Sequence, residues 1–223
     1  MAASTRAFVL RHTRLGLVPG LEPIRLHLAD EVLPLWHAVQ VETADPDAAL
    51  PYWAFAWGGG LAIATYLRDH PEAVAGRRVL DFASGSGLCA IAAIAARAAA
   101  ATRVVIDPNA TAAIALNAPA NRARVGAIRR DLLDEAPPAA EVILAGDFCY
   151  DLALAERVMP WLERAQAAGI EVLVGDPGRR YLPAGALVEI ACYDVRTTTE
   201  LEDLDHKQGR VYRLRSEATI LGR

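Results

Sequence analysis

The feature that most constrains the fold is a short apolar segment that runs into a glycine-rich turn and then into an alanine-rich stretch. Residues 79–83 read VLDFA, residues 84–87 read SGSG, and residues 89–100 are apolar except for one arginine. An apolar run bounded by turn residues predicts a buried strand, and the stretch after it predicts a helix. Glycine turns the backbone sharply and lets a ligand approach the amides at a helix N-terminus. The segment therefore predicts a βα unit with a ligand site at its turn.

The glycine spacing alone does not identify that ligand. Gly85, Gly87 and Ala90 also match the G-x-G-x-x-G/A pattern of dinucleotide-binding folds. Asp81, at the end of the predicted strand, discriminates between ligands because its carboxylate would repel a pyrophosphate and attract a cation. S-adenosylmethionine carries a sulfonium and an ammonium group and no phosphate. The segment favours this cofactor, and the alternative is a turn that only closes a βα unit.

Length and charge limit the classes of function. The chain has 223 residues, of which 53% are apolar, and its formal net charge is −4 without a dense run of Lys and Arg. One domain with a full core is expected at this length. Nucleic-acid affinity rests largely on the neutralisation of phosphates, so a nucleic-acid substrate is disfavoured.

Cysteine usage and hydropathy predict the compartment. Cys89, Cys149 and Cys192 are odd in number and lack the spacing of metal ligands, which indicates a reducing compartment and no metal site. Residues 1–10 lack the features of a signal peptide, and the longest apolar stretch, residues 88–101, is too short to cross a bilayer. We expect a cytoplasmic protein that does not bind membranes.

The remaining sequence predicts strands that alternate with helices, except at the C-terminal end, where two strands follow each other without a helix. Further strands are predicted at residues 103–106, 127–130, 141–146, 171–175, 187–195 and 210–214. Only a charged loop, residues 196–209, separates the last two, so we expect them to pair antiparallel at a sheet edge. The predicted fold is α/β, a Rossmann-like three-layer sandwich whose mostly parallel seven-stranded sheet ends in an antiparallel C-terminal hairpin. A nicotinamide-binding domain would continue with parallel βα units, whereas this ending is associated with class I methyltransferases.

Two regions contain prolines that complicate the prediction. Residues 31–40 fit either a strand or a helical turn interrupted by Pro34. Pro160 is expected to kink or split the helix predicted over residues 152–168.

Acidic and aromatic residues stand at the predicted ends of three further strands. Asp107 lies 20 positions beyond the last glycine of the turn, where an acid can accept hydrogen bonds from ribose hydroxyls or cap the next helix. Asp131 follows the next strand and could contact an adenine amino group or cap a turn. Asp147, Phe148 and Tyr150 follow the strand after that, and we expect them to line the crevice.

An aromatic segment precedes the glycine turn. Trp53, Phe55 and Trp57 alternate with alanines just before a glycine triplet. In an extended conformation the three rings would share one face beside a glycine hinge. Aromatic clusters more often fill cores than bind ligands. Because a helix predicted over residues 60–70 links this segment to the glycine turn, we expect it to lie across the mouth of the cofactor site.

Four motifs resemble those of seven-β-strand methyltransferases that modify protein lysines. They are PYWAFAWGG at residues 51–59, VLDFASGSG at 79–87, DFCY at 147–150 and GDPGRRYLP at 175–183. Within that group they are most similar to the electron transfer flavoprotein β-subunit lysine methyltransferases and their bacterial relatives. The resemblance implies a methyltransferase domain over residues 51–223 after an N-terminal extension, residues 1–50. It also implies S-adenosylmethionine-dependent N-methylation of lysine side chains of a protein partner, the electron transfer flavoprotein β subunit.

The strand-end residues and the resemblance together define a predicted site. Two residues, Asp147 and Tyr150, would be catalytic and hold the target amine. The predicted cofactor-binding residues are Trp57, Asp81, Ala83, Gly85, Ser86, Gly87, Asp107, Asp131 and Phe148, and the predicted substrate-binding residues are Trp53, Phe55, Asp176 and Arg179. Relatives often carry an additional acid two positions before Asp107, where this chain has Val105. Either Asp107 reaches the ribose differently or the cofactor is bound more weakly.

Methylation of lysine requires a neutral amine. The reference pKa of lysine is about 10.4, so burial beneath Trp53, Phe55 and Tyr150 would assist by disfavouring the ammonium form. An ionised Asp147 would raise the pKa of the amine, which assigns it to orientation or transient proton acceptance.

Other functions are compatible with parts of the pattern. The same fold could serve a small-molecule (for example nicotinamide-like) or ribosomal-protein N-methyltransferase. An NAD(P)-dependent oxidoreductase is disfavoured by Asp81, and a catalytically silent interaction module is disfavoured by the pair Asp147 and Tyr150.

Overall fold

The computed structural model describes residues 2–197 and 206–215. Its main elements, in chain order, are α1 (Ala2–His12), β1 (Arg14–Leu17), β2 (Arg25–Leu28), α2 (Val32–Thr43), α3 (Gly58–Asp69), β3 (Arg78–Phe82), α4 (Leu88–Ala95), β4 (Ala100–Val104), α5 (Pro108–Ala120), β5 (Val125–Ile128), β6 (Val142–Gly146), α6 (Leu152–Ala167), β7 (Glu171–Asp176), β8 (Leu187–Arg196) and β9 (His206–Leu214). Short 3₁₀ turns lie at Tyr52–Ala54, Pro71–Ala73 and Ala184–Ala186.

Within the described residues, seven strands form one sheet in the order β5-β4-β3-β6-β7-β9-β8. The pairs from β5 to β7 are parallel, whereas β9 is antiparallel to both β7 and β8. The predicted α/β class and the antiparallel C-terminal hairpin are confirmed. The two hairpin strands extend into the loop expected at residues 196–209, and residues 198–205 of that loop lie outside the described residues.

Side chains alternate between two helical layers because successive strand residues point to opposite faces of a sheet. In β3, Val79 packs in the core that contains α3 and α4, while Leu80 and Phe82 pack in the core that contains α6. Trp161 of α6 stacks on Phe82 with ring centroids 4.9 Å apart. Asp81 shares the direction of Val79, so its carboxylate points towards the layer of α4.

The sheet has a switch point between β3 and β6. Strands β3, β4 and β5 extend to one side of it, and β6 and β7 extend to the other. In open α/β sheets the ligand crevice forms at such a point, outside the carboxyl ends of the strands. Ala83 and Asp147 directly follow β3 and β6 and have positive φ angles of 54° and 55°. Few non-glycine residues adopt this conformation, so both strands end in sharp turns at the crevice.

The N-terminal extension shares its core with the rest of the protein. Phe8 packs in one hydrophobic cluster with Ile114 of α5. The side chain of Asn117, also on α5, accepts a hydrogen bond from the amide of His27 (2.7 Å) and donates one to the carbonyl of Ser86 (2.9 Å). Asn117 is fully buried. The extension, α5 and the glycine turn are therefore joined through one buried side chain.

The aromatic segment is extended only in part, because residues 52–54 form a 3₁₀ turn whereas Phe55 and Trp57 have extended backbone angles. The prediction of an extended segment is therefore wrong for its first residues. The amide of Ala54 donates to the carbonyl of Pro51 at 3.0 Å and closes a 3₁₀ turn. Trp53 and Phe55 are only 1% and 3% exposed and pack in a hydrophobic cluster. Both rings contribute mainly to the core.

Both proline-containing regions are helical. Residues 31–40 lie largely within α2, where Pro34 occupies the first turn and its missing N–H costs no helical hydrogen bond. Helix α6 continues across Pro160, so of the two predicted outcomes, a kink or a split, the split does not occur. Strands β4 and β5 end two residues earlier than predicted, at Val104 and Ile128.

None of the helices in the described part of the chain combines the length and the apolar character needed to cross a membrane.

Candidate active site

A cavity of about 250 Å³ lies at the switch point, against the carboxyl ends of β3 and β6. Most of the predicted site residues line it, namely Trp53, Phe55, Trp57, Asp81, Ala83, Gly85, Ser86, Asp107, Asp147, Phe148, Tyr150 and Arg179. Gly87, Asp131 and Asp176 lie outside the lining. The structure therefore brings together residues from five separate segments of the chain.

The glycine turn forms one wall of the cavity. Gly85 and Gly87 have φ angles of 48° and 82°, and Gly87 is the N-terminal cap of α4. A Cβ atom on Gly87 would also approach the side chain of Ile114 to 3.0 Å. Gly87 thus begins α4 and packs against Ile114 on the side of the turn away from the cavity, so it does not contribute to the cavity surface.

Asp81 joins this wall to the first turn of α4. Its Oδ2 accepts a hydrogen bond from the amide of Ala90 at 2.9 Å, and the residue is only 2% exposed. Burial raises the pKa of Asp81 to about 7, and hydrogen bonds from Ala90 and Ser84 oppose that rise. A cation in the cavity would favour the charged carboxylate, because an opposite charge nearby stabilises the ionised form.

An Asp81→Asn variant is expected to be more stable than the wild type without ligand but to bind a cationic cofactor more weakly. The pKa of Asp81 is raised on folding, so its contribution to stability is present below about pH 4 and is lost as the pH rises through 7. Asparagine removes this cost and keeps an acceptor for Ala90. Urea unfolding at pH 8 should give a free energy of unfolding about 1–3 kcal/mol higher for the variant, and the difference should shrink at pH 5. Equal destabilisation at both pH values would contradict this account of Asp81.

Asp147 caps a helix from the end of a neighbouring strand. Its Oδ1 accepts from the amide of Gly59 (3.0 Å) and its Oδ2 from the amide of Gly60 (2.7 Å). The glycine triplet predicted as a hinge is therefore the first turn of α3. Burial raises the pKa of Asp147 to about 6, and Arg179 together with the two amides opposes that rise.

Arg179 reaches Asp147 from the loop after β7. Its Nη2 lies 3.2 Å from Oδ1 of Asp147, and its Cζ lies 5.7 Å from the ring centroid of Trp57, within the range of a cation–π contact. Oδ1 of Asp176 accepts hydrogen bonds from the amides of Gly178 (2.7 Å) and Arg179 (2.6 Å). Asp176, predicted to bind substrate, is 1% exposed and lies behind the cavity, where it fixes the loop that carries Arg179.

Three aromatic rings stand beside this ion pair. Tyr52 stacks on Tyr150 with centroids 4.8 Å apart, and Nε1 of Trp57 donates to the carbonyl of Tyr52 at 2.9 Å. Burial raises the pKa of both tyrosines, so both phenols are neutral at physiological pH. Tyr52 was not among the predicted site residues, because an extended segment would have placed it on the face opposite Trp53.

Cys89 is a second lining residue that the prediction did not include. Its thiol is buried next to Gly60, with Sγ 3.7 Å from the carbonyl oxygen. Burial and the carboxylates of Asp81 and Asp147 raise the pKa of the thiol well above its ordinary value. The side chain therefore serves as a neutral wall, since thiolate character is what makes a cysteine reactive.

The side of the cavity after β4 is mixed in character. Val105 is 6% exposed and Ile106 is 66% exposed, and both line the cavity together with Asp107. Oδ1 of Asp107 accepts from the amide of Asn109 at 2.7 Å, so the helix-capping role is present alongside the place in the lining. Sequence motifs gave no signal for Ile106.

Asp131 is not part of this arrangement. Its Oδ2 lies 3.0 Å from Nη2 of Arg157, and its Oδ1 accepts from the amide of Leu133 at 2.9 Å. It follows β5, the outermost strand on its side of the sheet, two strands away from the switch point. The structure therefore places this predicted adenine contact outside the cavity.

Comparisons with known proteins give a consistent result. An electron transfer flavoprotein beta subunit lysine methyltransferase of Xenopus laevis is 33% identical over 208 residues, which cover 91% of this chain and 83% of the relative. No protein family model matches the chain.

Solved structures agree on the fold. PH1948 of Pyrococcus horikoshii, a proposed RNA methyltransferase, aligns with a TM-score of 0.55 at 13% identity over 75% of this chain and 89% of its own. SMU.776, a proposed methyltransferase crystallised with SAH, aligns with a TM-score of 0.55 at 11% identity over 91% of this chain and 56% of its own. At these identities the likeness shows the shared fold.

Proposed function

Because the chain belongs to the family of electron transfer flavoprotein beta subunit lysine methyltransferases, we propose that it transfers methyl groups from S-adenosyl-L-methionine to lysine side chains of an electron transfer flavoprotein beta subunit. The enzyme class predicted from the sequence is that of the family. One observation carries the proposal: the glycine turn, Asp81 and the Asp147–Arg179 pair beneath Trp57 all line the same cavity.

The charged side chains that line the cavity fit this cofactor better than they fit a dinucleotide. Asp81, Asp107 and Asp147 line it against a single lining arginine among the described residues. Three carboxylates suit a ligand with positive sulfur and nitrogen centres and disfavour a pyrophosphate. We assign Asp81, Ala83, Gly85 and Ser86 to the methionine and ribose end of the cofactor, with Trp57 and Phe148 as flanking walls.

The absence of an acid at Val105 leaves Asp107 as the candidate for the ribose hydroxyls. The amides of Asn109 and Ala110 both hydrogen-bond to the Asp107 carboxylate, whose two oxygens offer about four lone pairs, so acceptor capacity remains for a ribose hydroxyl. Val105 and Ile106 provide apolar surface beside it for a nucleoside base.

The aromatic rings define a path for the substrate side chain. Tyr150 is 41% exposed at the mouth, and Tyr52 and Trp57 lie beside it. Apolar rings of this kind can pack along the four methylene groups of a lysine while its nitrogen enters the cavity. Trp53 and Phe55, predicted to bind substrate, support this path from the core.

The bound cofactor supplies a methyl group that is already activated by the positive sulfur. The chain's own task is to hold the amine in line with that methyl group and to limit water, which can lower a barrier by roughly 7–11 kcal/mol. Asp147 orients the neutral amine by accepting a hydrogen bond from one of its N–H groups at a remaining carboxylate lone pair. Tyr150 closes the path above it.

The substrate assignment is tested with purified protein, methyl-labelled S-adenosylmethionine and purified electron transfer flavoprotein. We expect mass increments of one or more methyl groups, mapped by peptide mass spectrometry to lysines of the beta subunit. A parallel reaction in cell lysate serves as the comparison. Label in a ribosomal protein or in the small-molecule fraction, with an unlabelled beta subunit, would refute the proposed substrate and favour the alternatives.

Cofactor choice is checked separately by calorimetry. S-adenosylhomocysteine should bind the purified protein, whereas NAD(H) should not. The reverse result would replace methyl transfer with a redox function.

A further inference from the structure

We propose that Arg179 is a positioning residue that keeps the reacting lysine in its neutral form. Its guanidinium offsets the charge of Asp147 and places a fixed positive charge in the cavity. The lysine then enters and reacts as an amine rather than as an ammonium ion held by a carboxylate. This inference rests on the proposed function and adds a role that the family membership does not supply.

The charges that line the cavity are mostly negative and would favour a protonated lysine. Asp81, Asp107 and Asp147 are acidic, and Arg179 is the one basic lining residue within residues 2–197 and 206–215. A carboxylate near an amine favours the protonated, unreactive form, whereas a cation disfavours it. Without Arg179, the substrate ammonium would be the natural partner of Asp147.

Arg179 is held in place from three directions. The carboxylate of Asp147 lies 3.2 Å from its Nη2, the face of Trp57 lies 5.7 Å from its Cζ, and Asp176 accepts the hydrogen bond of its backbone amide. Its side chain in the ion pair is 19% exposed. A charge fixed in this way acts on a neighbouring group without first having to be ordered.

Apart from Asp176, the titratable groups that surround the pair on neighbouring elements are uncharged. Tyr52 precedes α3, and Cys149 and Tyr150 precede α6; burial raises the pKa of all three, so they are neutral. Cys89 on α4 is neutral for the same reason. Asp176, at the end of β7, accepts the backbone amide of Arg179 and adds a negative charge near Asp147, which increases the need for a positive charge beside the amine.

The reaction balances without a further reagent. The lone pair of the neutral amine forms the new N–C bond while the S–C bond of the donor breaks, and that electron pair stays on sulfur. The methylated ammonium product releases one proton to water. For a second transfer the product must again be neutral, so the same positive charge assists each round.

The test is the pH dependence of kcat, because kcat reports ionisations in the enzyme–substrate complex. With saturating S-adenosylmethionine and electron transfer flavoprotein, the acidic limb of the Arg179→Gln profile should lie about one to two pH units above that of the wild type. At pH 7.5 kcat should fall about 10- to 100-fold, and near pH 10 it should recover to within a few-fold. The Arg179→Lys variant keeps the positive charge, so the acidic limb of its kcat profile should lie close to the pH of the wild-type limb.

The matched control is Arg180→Gln. Arg180 is the next residue, is exposed, stacks on Tyr181 at 5.7 Å and does not line the cavity. Its profile should match that of the wild type. Thermal unfolding and binding of S-adenosylhomocysteine establish that each variant is folded.

Two results would overturn the inference. A loss of kcat in Arg179→Gln that is equal at every pH would indicate a structural role only. An unchanged kcat at pH 7.5 with a lower KM would indicate that Asp147 holds the ammonium ion and that Arg179 merely competes with it. If the wild type does not methylate electron transfer flavoprotein, the proposed function fails, and the same pH series is run on the amine that the wild type labels in lysate.

Discussion

A Gly59→Ala substitution is expected to lower the free energy of unfolding by about 3 kcal/mol or more, the opposite of what helix propensity predicts. Gly59 lies in the first turn of α3, and alanine is favoured over glycine in helices by about 1 kcal/mol. In the structure, however, a Cβ on Gly59 would overlap the carbonyl oxygen of Gly175 and lie 2.8 Å from Oδ2 of Asp147. Both groups are buried and hydrogen-bonded, so the helix has to move instead.

Urea unfolding measures this effect, and two further variants make it specific. Gly175→Ala introduces the reciprocal overlap with the carbonyl oxygen of Gly59 and should be similarly destabilised. Gly185→Ala is the control, since no atom lies within 4 Å of its Cβ and its φ is not left-handed. An unfolding midpoint for Gly59→Ala equal to that of Gly185→Ala would show that α3 can withdraw from β7 at little cost.

The close approach at Gly59 has a functional consequence. A displaced α3 would carry its first amides away from Asp147 and would change the lining at Gly60. Gly59→Ala protein that remains folded should therefore lose methyl transfer more strongly than it loses cofactor binding.

The parts of the fold predicted from the sequence are those that depend on local pattern. The buried strand, the glycine turn and the acid at Asp81 lie within ten residues of one another, so spacing alone relates them. The C-terminal hairpin was predictable because only a charged segment, residues 196–209, separates the last two predicted strands, and a parallel crossover needs an intervening helix.

Contacts between distant segments could not be predicted from pattern. Arg179 meets Asp147 across 32 residues, and the 3₁₀ turn at Tyr52–Ala54 adds Tyr52 to the rings that line the cavity. The prediction that Asp131 binds the cofactor is wrong for the same reason, since only the strand order shows that β5 lies at the sheet edge. An acid at the end of a strand lines the crevice only when that strand borders the switch point.

An Asp147→Asn substitution is expected to lower the maximal kcat by about 100-fold and the free energy of unfolding by about 1–3 kcal/mol. Asparagine tolerates the left-handed conformation at this position, where φ is 55°, so backbone strain is not the cause. It keeps one acceptor oxygen, but its NH₂ group must face one of the two amides that Asp147 binds, or Arg179. A buried donor then remains unsatisfied, and the amine loses the acceptor that orients it.

The control for this variant is Asp151→Asn. Asp151 also caps a helix, because its Oδ1 accepts a hydrogen bond from the amide of Leu154 at 2.8 Å. Unlike Asp147 it is exposed, and asparagine is an equally good cap there. Urea unfolding and kcat should both stay close to those of the wild type. A similar loss in both variants would mean that Asp147 acts as an ordinary helix cap.

The pH dependence separates Asp147 from Arg179 because the two substitutions change the charge of the cavity in opposite directions. Removing the carboxylate leaves the guanidinium unopposed, so the acidic limb of kcat in Asp147→Asn should stay at the wild-type position or move to lower pH. Burial raises the pKa of Asp147 to about 6. Below that pH the wild type itself loses the charge, so the ratio of wild-type to variant kcat should shrink. A limb that moves to higher pH in Asp147→Asn would instead make the carboxylate the general base that deprotonates the lysine.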